Sequence, residues 1–285
     1  MIQSMTGFGK SIVQLPTKKI TVELKSLNSK SLDVNARIPS QYREKELQMR
    51  STIANALVRG KVDFGLYVEI TGEETTSQVN EAVIKQYMQQ LKNIVNGDET
   101  ELLKMAVRMP DALKTERNNI DEEEYVAIAR ALEDAIVEIR TFRNEEGLAL
   151  EKDFLLRINN ISTLLEQVKE LDPERMVQVR ERLEKAVADV KENVDKNRFE
   201  QELIYYLEKF DITEEKVRLA NHLEYFLSSL NSEDSNGRKL GFISQEIGRE
   251  INTIGSKANY APMQKLVVQM KDELEKIKEQ VLNVL

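Results

Sequence analysis

The spacing of apolar residues changes once along this chain, and that change sets its fold class. Up to about residue 70 they recur at every second position: Ile20, Val22 and Leu24 oppose Thr21, Glu23 and Lys25, while Leu32, Val34, Ala36 and Ile38 oppose Asp33, Asn35 and Arg37. Strands turn successive side chains to opposite faces, so each segment predicts a strand with one wet face. Asn28-Ser29-Lys30-Ser31 between them has turn chemistry and predicts a hairpin. After Pro39 a helix is expected from about Gln41 to Leu57, then a third alternating strand with Val62, Phe64, Leu66, Val68 and Ile70 inward. An opening strand near Ser4 to Gln14 completes a small mixed sheet carrying a helix.

From about Asn80 the period becomes that of helices, with interruptions expected at Pro110 and Asp172-Pro173. The charged run from Glu174 to Glu200, with Val177, Val179, Leu183 and Val187, predicts a long amphipathic arm. The expected fold is therefore α+β: a small N-terminal mixed sheet with a helix, then a predominantly helical body with long amphipathic helices. The expected organisation is an N-terminal domain over 1–155, basic and β-rich over residues 1–75 and helical over residues 76–155, then a helical arm over 156–199 and a C-terminal helical domain over 200–285.

Charge follows the same division. Residues 1–71 hold eleven Lys or Arg and six Asp or Glu, a surplus of +5 that leaves −13 for the rest of a chain whose net charge is −8. A basic patch on an acidic molecule can steer a polyanion to one face, and Asn28, Lys30, Arg37 and Lys61 are its candidate phosphate-binding residues. The absence of cysteine excludes disulfides and thiolate metal sites, leaving His and carboxylates as the strong ligands for a hard metal. The N-terminus has no long apolar run and no segment is apolar enough to cross a membrane, which reads as a cytoplasmic chain without a membrane partner. Phosphate-loop, dinucleotide, zinc-finger and serine or cysteine triad patterns are missing.

One segment carries more polar pattern than packing requires. In Gly237–Lys257, Leu240, Ile243, Ile247, Ile251 and Ile254 make an apolar stripe, with Lys239, Glu246, Glu250 and Lys257 on one flank and Arg238, Gln245, Arg249 and Asn252 on the far face. Glu246 and Glu250 are one turn apart, where like charges repel unless a cation lies between them. Basic neighbours on a solvated helix would also relieve that repulsion. Gly248 and Gly255 cost helix stability and suggest a close backbone or ligand approach. The only histidine, His222, falls with Glu215, Arg218 and Tyr225 along the edge of a stripe made by Leu219, Leu223, Phe226 and Leu230, on a helix introduced by Asp211 and Glu214 at capping-box spacing. His222, Glu246 and Glu250 together suit Mg2+ or Mn2+. Arg143, Glu146, Leu150, Asp153 and Arg157 form a second charged stripe, with Gly147 inside it.

These blocks resemble the YicC/YloC family of bacterial endoribonucleases. The resemblance rests on Met1-Ile2-Gln3-Ser4-Met5-Thr6-Gly7-Phe8-Gly9, Ser26 through Asp33, Arg37-Ile38-Pro39, Arg59-Gly60-Lys61-Val62, Glu146-Gly147, Glu214-Glu215 with Arg218 and His222, and Gly237 through Lys257. Ser29 and Gly241 depart from the family pattern, where His and an acidic or amide residue are common. The resemblance implies metal-dependent cleavage of single-stranded or structured RNA, a ring-like homo-oligomer, expected as a hexamer, and a bacterial cytoplasmic setting. To this the residues themselves add an expected ligand set, in which Glu246, Glu250, His222 and Glu215 hold the metal. Arg238, Arg249 and Lys257 would then bind phosphate, and the sheet's Asn28, Lys30, Arg37 and Lys61 would hold the strand. Attack by the ribose 2′-hydroxyl with His222 as base is the alternative chemistry. A non-catalytic oligomeric RNA-binding or adaptor protein is the alternative class.

Overall fold

The computed structural model describes residues 2–71, 78–95, 97–114, 121–189, 196–232 and 237–285. The alternating segments form β1 (Gly7–Gln14), β2 (Lys18–Leu27), β3 (Leu32–Arg37) and β4 (Gly60–Ile70), one sheet in the order β1-β2-β4-β3. β2 runs antiparallel to both β1 and β4, and β3 runs parallel to β4. The hairpin expected between β2 and β3 does not form, because β4 lies between them. The chain leaves β3 through a 3-10 turn (Ser40–Lys45) and helix α1 (Glu46–Ala56) before entering β4. Such a crossover brings its two strands together in parallel. The turn residues at Asn28–Ser31 reverse the chain without choosing its neighbour.

One face of the sheet buries Ile20, Val22, Leu24, Val62, Phe64 and Leu66 against α1 and the first half of a long helix, α4 (Glu122–Asp189). Helices α2 (Glu81–Ile94) and α3 (Glu99–Ala106), closed by the short ladder of β5 (Gln78–Val79) and β6 (Leu113–Lys114), have a small core of their own around Ile84, Ala106 and Ala112. After α4 come α5 (Lys196–Phe210), α6 (Thr213–Leu230), α7 (Gly237–Lys257) and α8 (Ala261–Val281). The second half of α4 packs Phe154, Ile158, Ile161, Leu165 and Val168 into a core shared with α6, α7 and α8. One helix thus carries both large cores.

The interruption expected at Asp172-Pro173 is absent, and α4 continues through Pro173. Proline inside a helix removes one backbone bond and costs about 3 kcal/mol. Side chains fasten the helix on both sides of the lesion. The Asp172 carboxylate takes Arg175 at 2.7 Å and Lys216 of α6 at 2.5 Å, while the buried Arg175 also donates to the Phe210 carbonyl at 2.9 Å. These bonds hold the turn against the corner between α5 and α6, so tertiary contacts override the local preference.

The two chain ends meet over the middle of α4. Leu285 N donates to Gln3 O at 2.9 Å, Met5 N to Asn283 O at 2.8 Å and Ser4 N to Arg143 O at 3.0 Å. Asn28 Nδ2 donates to Leu282 O at 2.5 Å, tying the end of β2 to the same place. Buried Arg143 donates to Ser26 Oγ and to the carbonyls of Met5 and Arg59, so one residue of the second charged stripe serves as a fastening between sheet and helix.

Glu273 on α8 fastens the other half of α4. Burial pushes its carboxyl up, but bonds from Lys276, Asn160 and Arg157 win and pull it down to about 2. A depressed carboxyl contributes stability that is present above its unfolded pKa and lost as pH falls through the folded one. Glu273→Gln is expected to lower the melting temperature at neutral pH and to bring the difference from the parent toward zero as pH falls from the usual carboxylate range to about 2. Thermal melts across that range measure it. No helix among the described residues is long and apolar enough to cross a membrane.

Candidate active site

The stripe expected on α7 is buried throughout: Leu240, Ile243, Ile247, Ile251 and Ile254 enter the C-terminal core beside Leu219, Leu223, Phe226 and Leu230 of α6. Of the polar residues left over, Lys257 of α7 and Glu215 of α6 join across the two helices. Asp211 fixes the start of α6 by accepting from Thr213 N at 3.0 Å and Thr213 Oγ1 at 2.7 Å. Glu214 pairs with Arg218 at 2.5 Å instead of closing a capping box.

Glu215 is buried and pointed toward α7. Its Oε1 accepts from Lys257 Nζ at 2.7 Å, and the same ammonium donates to Asp211 O at 3.0 Å. Its Oε2 is buried without a hydrogen-bond partner. An unsatisfied buried oxygen costs about 1–3 kcal/mol, so its persistence in a polar cluster points to a function. Glu250 is buried on α7, where loss of hydration pushes its carboxyl above the usual range. Arg218 and His222 pull it the other way, and Glu215 and Glu214 add to the rise. Glu250, Glu215, half-buried His222 and exposed Arg218 therefore share one electrostatic environment.

Glu246, one turn before Glu250, pairs with the largely exposed Arg249 at 2.6 Å. Arg238 is exposed at the start of α7, and Lys239 lies over the Tyr225 ring, 5.2 Å from its centroid. Gly248 and Gly255, expected to admit a ligand or a backbone, admit α8. A Cβ on Gly248 would stand 3.1 Å from Leu274 Cδ2, and one on Gly255 would stand 3.0 Å from Val267 Cγ1. Arg218 lies on the same edge of α6 as Glu215 and His222 but is not among the expected site residues. Its signal was its place between Glu215 and His222 at helical spacing, which puts all three on one edge.

The basic candidates of the sheet stand on the other large core. Lys30, Arg37 and Lys61 are exposed, and Asn28, also exposed, is engaged by the Leu282 carbonyl. Arg37 borders a shallow groove on the open face of the sheet, together with Lys25, Glu23, Asp63 and Tyr67.

A mixed sheet and a helical bundle strung on one long helix, with a carboxylate, imidazole and guanidinium seam in the bundle, define a two-core α+β protein with a polar site separate from its basic face. Residues 2–152 match the family described as Endoribonuclease YicC-like, N-terminal region, and residues 168–285 match Endoribonuclease YicC-like, C-terminal. The chain belongs to this YicC-like family. It is 33% identical over 293 aligned residues to a Clostridioides difficile protein named "Probable endoribonuclease YicC", with all of both chains covered. It is 29% identical over 287 aligned residues to a Haemophilus influenzae protein of the same name, again over the full length of both.

Proposed function

We propose that this chain is a metal-dependent endoribonuclease that cuts RNA phosphodiester bonds at the α6–α7 seam. The observation that carries the reading is the buried Glu215 of α6, tied to α7 by Lys257 with one oxygen left unpartnered, on a helix that packs against α7 and its buried Glu250, in a chain that matches the endoribonuclease family along nearly its whole length. No three His, Asp or Glu side chains among the described residues form a ready metal shell. Mg2+ does not need one, since it commonly keeps its waters and is held by one or two carboxylates plus substrate phosphates. The unpartnered Glu215 Oε2 and the buried Glu250 fit that demand, and these two would hold Mg2+ or Mn2+. When bound, the ion supplies positive charge to the scissile phosphate and acidity to a coordinated water.

The chain's own groups do the rest. Lys257 holds Glu215 in place by binding one oxygen and leaving the other. His222 accepts a proton from the attacking water, and its partial exposure lets it pass that proton to solvent. Arg218 and Arg249 bind phosphate oxygens, with Arg238 extending the cationic row at the start of α7. Lys30, Arg37, Lys61 and Asn28 hold the strand away from the cut. A homo-oligomer, a hexamer on the family resemblance, is the assembly that accompanies this reading in a cytoplasmic setting.

A second reading has one observation behind it: Lys257 already neutralises Glu215, which lessens its hold on a cation. There the ribose 2′-hydroxyl attacks, with His222 as base. The products separate the two. Cleavage of end-labelled RNA is expected to leave 5′-phosphate and 3′-hydroxyl ends and to stop on chelation. Metal-independent cutting that leaves 2′,3′-cyclic phosphate would overturn the first reading in favour of the second.

A further inference from the structure

The open face of the N-terminal sheet carries two exposed aromatic rings, Phe8 and Tyr67. Phe8 is 40% exposed and Tyr67 is 50% exposed, each on the face opposite the sheet's core residues. Gly9 shows why Phe8 is turned outward: a Cβ there would stand 2.2 Å from Ala135 O, so β1 lies directly on α4 and its bulk faces solvent. Tyr67 leans along its own strand over Gly65, where a Cβ would stand 2.7 Å from the Tyr67 Cε2 atom. Both rings have cationic neighbours. Lys25 Nζ lies 5.6 Å from the Phe8 ring centroid, and Arg37 borders the groove beside Tyr67.

Of the carboxylates on this face, Glu23 and Asp63 are engaged, while Asp33 stands opposite Lys61 in the register and Glu69 opposite Lys19. Glu23 takes Lys10 at 2.9 Å and Lys25 at 3.6 Å, and Asp63 accepts from Asn35 Nδ2 at 2.9 Å. Arg37 and Lys61 have no carboxylate partner among the described residues. The register puts Phe8 opposite Lys25 and Lys25 opposite Asp63, four residues along β4 from Tyr67. Two strand spacings across and four residues along place the Phe8 and Tyr67 Cα atoms roughly 16 Å apart, and Tyr67 leans toward Phe8's end of the sheet. On other four-stranded sheets, aromatic residues stack two or three unpaired bases.

We infer that this face is a base-stacking platform for single-stranded RNA, with Phe8 and Tyr67 taking bases and Arg37, Lys61 and Lys25 taking phosphates. The inference rests on the RNA reading above and adds to it two aromatic residues that charge alone does not select. Stacking tolerates any base, so the platform holds RNA without choosing its sequence.

The test is fluorescence anisotropy in chelator with a labelled single-stranded oligonucleotide bearing 2′-O-methyl riboses, which keeps bases and phosphates and closes both the metal-dependent and the 2′-hydroxyl routes of cutting. Phe8→Ala and Tyr67→Ala are each expected to weaken binding about tenfold, with Phe8→Tyr and Tyr67→Phe close to the parent. Arg37→Ala is expected to weaken binding and to reduce the salt slope by about 0.7, whereas the aromatic changes leave that slope alone. A duplex of the same sequence hides its bases and should bind both alanine variants as it binds the parent. Alanine variants that bind single strands within twofold of the parent would overturn the platform. So would variants that lose self-association but keep RNA affinity, which would make the face a contact between copies. Because the probe is not cut, failure here leaves cleavage at the α6–α7 seam standing; a protein that binds through the sheet and cuts no RNA overturns only the proposed activity.

Discussion

Glu250→Gln is expected to lower RNA cleavage by about a hundredfold or more while leaving the protein folded. Glutamine keeps the shape of the carboxylate and removes the charge that would hold a cation or settle a proton beside His222, losses that cost catalysis on this scale. Stability should move the other way. Burial disfavours the charged form of Glu250 more than Arg218 and His222 favour it, so a neutral side chain relieves a cost that the native site bears. The melting temperature in chelator is therefore expected to equal or exceed the parent's at neutral pH. A variant that loses activity and melts early would show that Glu250 is a structural residue. Glu246→Gln supplies the contrast. Its carboxylate is paired with exposed Arg249, so its loss is expected to cost severalfold less activity than the loss of Glu250. Initial rates on one RNA substrate, with melts of the same preparations, decide between these outcomes.

The residues of this site differ in how far the sequence exposed them. The isoleucine stripe of α7 was legible because burial of one helix face requires its period, and all five positions are in the core. Glu215, His222 and Glu250 were legible as residues with no packing reason to lie beside such stripes. The bond from Lys257 to Glu215 across α6 and α7 was not, since it depends on the crossing of two helices joined through residues 233–236, which lie outside the described residues. Strand positions were equally plain, whereas strand order was not. Alternation says which side of a strand is wet, but neighbours are chosen by the length and helicity of the connections, and the insertion of β4 beside β2 needed tertiary information. Pro173 misled for a related reason: a local penalty of about 3 kcal/mol is outweighed by contacts from α5 and α6 that no single window contains.

Gly147→Ala is expected to destabilise the protein by about 3 kcal/mol or more, against the sign that helix propensity assigns. In a helix interior Ala is favoured over Gly by about 1 kcal/mol, so a solvated position would gain from the change. Gly147 is not such a position. A Cβ there would stand 2.2 Å from Ile2 O and 3.1 Å from Gln3 Cα, so the N-terminal segment must lift off α4. That movement pulls buried Ile2 from the C-terminal core and strains the bonds that join Ser4 to Arg143, Met5 to Asn283 and Gln3 to Leu285. Truncating a buried aliphatic side chain alone costs about 2–5 kcal/mol. Gly241→Ala is the matched control. A Cβ at Gly241, also inside a helix, meets only Val281 Cγ1 at 3.5 Å, an ordinary contact, so that variant should gain up to about 1 kcal/mol. Denaturant melts of the two variants should therefore shift in opposite directions. Equal shifts would mean that the chain ends do not press on α4, and that the clasp between the sheet and the C-terminal core is not what holds this glycine in place.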